Sequence, residues 1–266
     1  MMRATLLTTA LGLLAGPALA QDLTIGTVPG AFGDSAAAAA EEAAREGLEV
    51  RLVEFSDWTT PNVALDAGDI DANFFQNPVF MANAEAEGGW DFEFVYPGIL
   101  GNIGLYSLRH DSFDQIPQGG TVAVASDPVN QGRGLLLLQR AGLITLREGV
   151  GYLGTLDDIT DNPRDLRFTE VEGPQLVRVT GDVDLAQGYP YFIVAAGAFD
   201  PASGLIYTGP EDLQFNVGFV TRADRADNPQ LKRFVEIFQS SQAVREQIHR
   251  SYGESDDLYI LAWEHL

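Results

Sequence analysis

The 266-residue chain is 45% hydrophobic and carries 38 Asp and Glu against 16 Lys and Arg, a formal charge of −22. Such an excess of negative charge argues against nucleic acid or an anionic membrane surface as a partner. The sequence contains no cysteine, which excludes disulfides, thiolate nucleophiles and cysteine metal ligands within it.

Met1 to Arg3 is a short positive region, "TLLTTALGLLAG" is apolar but too short to span a bilayer, and "PALA" supplies small residues before Gln21. This is the pattern of a cleavable secretory signal over residues 1–20. With no cysteine behind it, the pattern predicts a periplasmic protein without a lipid anchor. Strands and helices then alternate. "LTIGTV" reads as a strand and "AAAAAEEAAREG" as a helix ended by Gly47. "LEVRLVEF" is a strand, and "TPNVALDAG" starts a helix with Thr60 as cap and Pro61 at its first position. "DIDANFF", "NPVFMANAEAEG" and "DFEFVYPG" continue as strand, helix and strand. The rhythm resumes with "GTVAVAS" and the helix beginning in "DPVNQGRGLLLL". "NPRDLRFTEVEG" predicts a helix fragment and a strand, "QLVRVTGDVDLAQGY" a helix and a strand, and "DNPQLKRFVEIFQSSQAVREQIHRSYG" two closing helices. This βαβα order predicts an α/β fold with mostly parallel sheets covered by helices.

"NIGLYSLR" from Asn102 and "NVGFVTRA" from Asn216 echo each other at the edges of the central block. Alone, the echo is no more than chance similarity between strands. With the βα rhythm on both sides, it predicts two crossover strands joining two α/β lobes, residues 21–103 with 217–266 and residues 104–216. Such a pair makes a cleft that closes by hinge motion. Ligands in these sheets gather beyond the carboxyl ends of strands.

The loops at those ends are rich in aromatics and amides. "SDWTTPN" holds Trp58, "FFQNPVF" holds Phe75, Gln76, Asn77 and Phe80, and "SDPVNQGR" holds Asn130 and Arg133. "QGYPYF" supplies Gln187, Tyr189 and Tyr191. Apolar walls with a few convergent polar groups make a pocket for a small amphipathic molecule. Phe74 is assigned to the core, Asp127 is a helix cap, and Gln76 and Asn77 either cap the following helix or face the pocket. Arg133 is a cation in a helix's opening turns, where anions are favoured. Either a carboxylate of the chain pairs it, or it clamps a visiting carboxylate bidentately. His110, His249 and His265 are scattered, and no G-x-S-x-G, H-E-x-x-H or P-loop occurs. No catalytic residue, metal or cofactor is expected.

The stretches "VEFSDWTTPNVALDAGDIDANFFQNPVFM", "DPVNQGRGLLLLQRAGLITL", "DDITDNPRDLRF" and "DNPQLKRFVEIFQS" resemble the NlpA/MetQ-like family, methionine-binding proteins of ABC importers. The resemblance implies a periplasmic-binding-protein fold that closes around an L-amino acid, methionine first. It implies that Arg133 grips the carboxylate, that Asn130 lines the pocket, and that Asn216 on the returning crossover strand helps hold the amino group. Trp58, Phe75 and Phe80 would surround the side chain. The departures lie at the other end of the ligand. The family's F-Q-H is F-Q-N here, so Asn77 replaces a histidine. The I-N-G-N-Y stretch is "QGYPYF", one residue longer, which removes an asparagine unless Gln187 substitutes. Trp58 stands for a tyrosine, and the lipobox cysteine is missing. The resemblance implies an ABC permease as partner and a monomer. Two other readings are a secreted α/β enzyme acting on a small carboxylate and a ligand-sensing module for a membrane receptor.

Overall fold

The computed structural model describes residues 23–266, so the predicted signal segment lies outside the described residues. β1 (Leu23–Thr27) is buried along its whole length and feeds α1 (Ala31–Arg45). Ala36, Ala39 and Ala43 recur at helical spacing and are fully buried, so α1 lies close on its neighbours. β2 (Val50–Glu54), α2 (Thr60–Ala67), β3 (Ala72–Gln76), α3 (Pro78–Gly88) and β4 (Phe92–Gly101) complete the first set. Gly68 and Gly89 stop α2 and α3 at φ of 78° and 70°, a left-handed conformation that favours glycine.

The chain then crosses to a second set. It comprises β5 (Gly104–Tyr106), β6 (Thr121–Ala125), α4 (Pro128–Arg140), β7 (Thr145–Leu146), β8 (Ile159–Asp161) and β9 (Arg167–Val171). α5 (Leu176–Val179), β10 (Leu185–Gly188), α6 (Pro190–Ala196) and β11 (Ile206–Tyr207) follow. β12 (Val217–Arg222), α7 (Pro229–Ser240), α8 (Gln242–Ser251) and β13 (Tyr259–Leu261) return to the first set.

Two main sheets result, in the orders β13-β4-β12-β3-β1-β2 and β11-β5-β10-β6-β9. β7 and β8 form a separate antiparallel pair. Each main sheet has a parallel half, β2-β1-β3 and β9-β6-β10, and an antiparallel remainder. The expectation of mostly parallel sheets is corrected to mixed ones. The reason is the crossovers: β12 returns against both β3 and β4, and β5 leaves against β10. The two crossing segments are tied side by side. Ile103 N–H donates to Thr208 Oγ1 at 2.9 Å, and Thr208 N–H donates to Ile103 O at 2.9 Å.

Two local expectations change. α2 begins one residue earlier than predicted, and the capping acceptor is Asp57, which takes the Thr59 and Thr60 N–H groups at 2.8 and 2.7 Å. "NPRDLRF" forms a turn and strand β9, with no helix. There the Asn162 side chain accepts from Leu166 N–H and donates to Leu166 O, closing a local loop that competes with helix.

The core of the first sheet is aromatic. Phe74, fully buried, stacks on Phe219 at 4.3 Å and meets Phe238 and Phe32 edge-on. In the second sheet, Asp184 pins β10 to β6. Its carboxylate accepts from Thr121 N–H at 2.7 Å, Thr121 Oγ1 at 3.0 Å and His110 Nε2 at 3.0 Å. The His110 bond first, then the Thr121 amide, hold this carboxyl down at about 2. A depressed carboxyl stabilises the fold above its unfolded value and loses that contribution as pH falls through the folded one. Asp184→Asn is therefore expected to cost about 2 kcal/mol at neutral pH. In urea melts the gap between the two proteins should close between about pH 4 and about pH 2.

Candidate functional site

One cavity sits where the two sheets face each other across the crossing segments. Its wall comprises Phe32, Trp58, Phe75, Gln76, Asn77, Phe80, Gly101, Asn130, Arg133, Tyr189, Tyr191, Phe215 and Val217. These come from the carboxyl ends of β3 and β4, the loop after β2, the first turns of α1, α3, α4 and α6, and the return crossing. It is narrow: about 40 Å³ is open to the centre of a water molecule, against roughly 10–15 Å³ for one such position.

α4 delivers the cation. Asp127 caps it, accepting from Asn130 N–H at 2.9 Å, and Pro128 opens its first turn. The helix can press against the neighbouring backbone because position 132 is glycine; a Cβ there would overlap the Tyr152 carbonyl. This close seat turns Arg133 inward. It is only 6% exposed, and its guanidinium lies 4.3 Å over the Phe215 ring. Nη1 donates a long bond to Asn130 Oδ1 at 3.3 Å, and Nη2 lies 3.6 Å from Asp212 Oδ2. Yet among the described residues Nε and Nη2 have no hydrogen-bond partner. Burial pulls the Arg133 pKa down, and the Asp212 charge opposes that. Burial also raises the Asp212 carboxyl, against the pull of Arg133. An unpartnered buried charge is costly, so these two donors mark where an anion is stabilised.

The aromatic wall surrounds that point. Trp58 meets Tyr189 and Phe80 edge-on at 5.7 and 6.3 Å and stacks on Phe192 at 6.2 Å. Its indole Nε1 is buried without a partner among the described residues, a third free donor. Trp58 has room because residue 173 is glycine; a Cβ there would overlap the indole. Burial raises the Tyr189 and Tyr191 phenols, so both stay neutral.

Eight residues expected in the site line the cavity: Trp58, Phe75, Asn77, Phe80, Asn130, Arg133, Tyr189 and Tyr191. Asn77 serves both readings at once, since Oδ1 caps α3 by accepting from Phe80 N–H at 2.9 Å. Gln187 and Asn216 are not among the residues that line the cavity. Gln187 is fully buried, with its amide spent on Asn130 O, the Tyr189 hydroxyl and Ala125 N–H. It fixes the strand–helix junction from behind. Asn216 donates to Leu213 O and accepts from Gly98 N–H, which holds the return crossing while its neighbours Phe215 and Val217 face the cavity.

Sequence reasoning missed Phe32, Gly101, Phe215 and Val217 as wall residues. Phe215 carried a signal, since it directly precedes the singled-out Asn216. Gln76, open between a cap and a pocket residue, lines the cavity and does not cap α3. It joins a buried amide network with Asn62 and Asn73, at 2.7–3.0 Å, that bolts α2 to β3.

The model of the NlpA lipoprotein family matches residues 23–259. The chain is 37% identical over 228 residues to the D-methionine-binding lipoprotein MetQ of Escherichia coli O157:H7, covering 83% of this chain and 82% of that protein. The solved structure of the methionine binding protein MetQ superposes with a TM-score of 0.84 at 34% identity, over 91% of this chain and 98% of that one. An ABC transporter periplasmic substrate-binding protein from Coxiella burnetii gives 0.82 at 32% identity, over 90% and 99%. These neighbours identify the two-sheet architecture as the periplasmic-binding-protein fold. The names also overturn the expectation of a chain without a lipid anchor: the family and the E. coli relative are lipoproteins. No position of the 266 is a cysteine.

Proposed function

The chain belongs to the NlpA lipoprotein family, and from that premise we propose that it is a periplasmic substrate-binding protein of an ABC importer. It binds a small amino-acid-like ligand, methionine first, and presents it to a membrane permease. The observation that carries this is the buried Arg133 guanidinium, with Nε and Nη2 free of partners in an aromatic cavity between two sheets. A carboxylate would take both donors in a bidentate bond, and the ligand's apolar end would lie against Trp58, Phe75 and Phe80.

The same reading makes residues 21–103 with 217–266 one lobe and residues 104–216 the other. Membership of the two main sheets supports that division. The paired crossing at Ile103 and Thr208 is then the hinge. The reading includes no chemistry on the ligand and a monomer acting alone. Thermal unfolding against L-methionine, D-methionine and other small carboxylates tests it. A ligand at about 100 times its Kd adds roughly 2.7 kcal/mol, a rise of about 5–10 °C for a chain of this size. A panel in which no amino acid or small carboxylate moves the transition would overturn the proposal.

A further inference from the structure

The Arg133 guanidinium already has an anion beside it. Asp212 Oδ2 lies 3.6 Å from Nη2, across from the cavity, on the short 3-10 helix Pro210–Phe215 that leads into β12. Asp212 is not in the cavity wall, and no hydrogen bond joins it to Arg133 there, since Nη2 has no partner. Two further carboxylates lie near. Glu211 pairs with Arg140 at 2.8 Å. Asp127 is held by the Asn130 N–H and side-chain amide. Asp127 is a second carboxylate that acts on Arg133, but Asp212 is the one within ion-pair distance of the guanidinium, and that pair sums to zero.

We propose that Asp212 is the specificity-determining counter-charge of this site, making it select a zwitterion over a plain carboxylate. This rests on the carboxylate reading given above. A ligand carboxylate on Nε and Nη2 has an oxygen about 2.8 Å from Nη2. It then lies within roughly 6.5 Å of Asp212, at a geometry set by the ordinary bond length. A ligand with only a carboxylate adds a net negative charge beside that aspartate and is repelled. An amino acid adds no net charge, because its ammonium offsets the carboxylate within the same field. At an effective dielectric of about 20 the repulsion corresponds to tens-fold in affinity. Asp212 keeps 17% of its side chain exposed, and solvent screening brings the expected effect to about tenfold.

Calorimetric titration of L-methionine and of 4-(methylthio)butanoate, the same molecule without its amino group, tests this on the intact protein and on Asp212→Asn. The wild-type protein should prefer methionine. Asp212→Asn should tighten the deaminated acid about tenfold and shift methionine far less, so that the preference shrinks. Asp212→Ser should do the same, and Glu211→Gln should leave the preference as in the wild type. A preference unchanged in both Asp212 variants, or an equal weakening of both ligands, would overturn the inference while leaving the carboxylate site standing. If the wild-type protein binds neither ligand, the carboxylate reading and this inference fall together.

Discussion

Arg133→Ala is expected to weaken carboxylate ligands a hundredfold or more, with a smaller loss of stability in the ligand-free protein. Truncating one partner of a buried, hydrogen-bonded charge pair costs about 2–5 kcal/mol of binding, and each 1.4 kcal/mol is tenfold in Kd. The ligand-free state behaves differently. Arg133 carries two N–H groups with no partner and one long bond to Asn130. It is attracted to Asp212 and Phe215 but bears the cost of its own desolvation. These terms oppose each other, but truncation leaves Asp212 without its counter-charge, which for a fully buried pair costs about 3–5 kcal/mol; Asp212 keeps 17% of its side chain exposed, so the loss of stability should fall below that range. Calorimetry and thermal melts of the same preparations separate the two. A variant that melts far lower and still binds would show Arg133 to be a structural residue.

The second large effect comes from a residue that touches no ligand. A methyl group at position 132 would overlap the Tyr152 carbonyl, a backbone atom that cannot swing away. Gly132→Ala therefore has to push α4 off its seat, and Arg133 moves with it. Overpacking costs about 1–3 kcal/mol and sometimes more; backbone against backbone puts this case at the upper end. Chemical denaturation should show that loss, with a parallel drop in ligand affinity. Gly142→Ala is the contrasting change on the same segment. It leaves open space around the new methyl but sits at φ 72°, so it should lower stability through strain and leave affinity nearly untouched.

Local order was legible in the sequence where one physical signal dominated. Short stretches rich in apolar and β-branched or aromatic residues marked β1, β3 and β6, and glycines at left-handed positions marked the ends of α2 and α3. Asp127 and Asn77 declared helix starts because a short acceptor preceded proline. Short edge strands such as β11 and β13 were not legible. Their two and three residues are strands only because β5 and β4 offer them an edge. The site followed the same division. Residues on strand-to-helix loops, such as Trp58 and Arg133, line the cavity, a placement that position alone predicts. Gln187 and Asn216 lie outside the cavity wall, because sequence gives their strand ends but not the direction of a side chain within a crowded junction. Phe32 was invisible for a related reason: it lies in a glycine-flanked stretch that reads as a turn and is in fact the first turn of α1.

The central claim is that the cleft recognises a carboxylate through Arg133. Methioninamide keeps every atom of methionine's side chain and its amino group but replaces the carboxylate by a neutral amide. The most direct measurement is a paired titration of the protein with methionine and methioninamide under one buffer and salt. The account predicts heat and saturation with methionine and no measurable binding of the amide at the same concentrations. Equal affinity for the two would contradict it, because the guanidinium's free donors would then have no part in recognition.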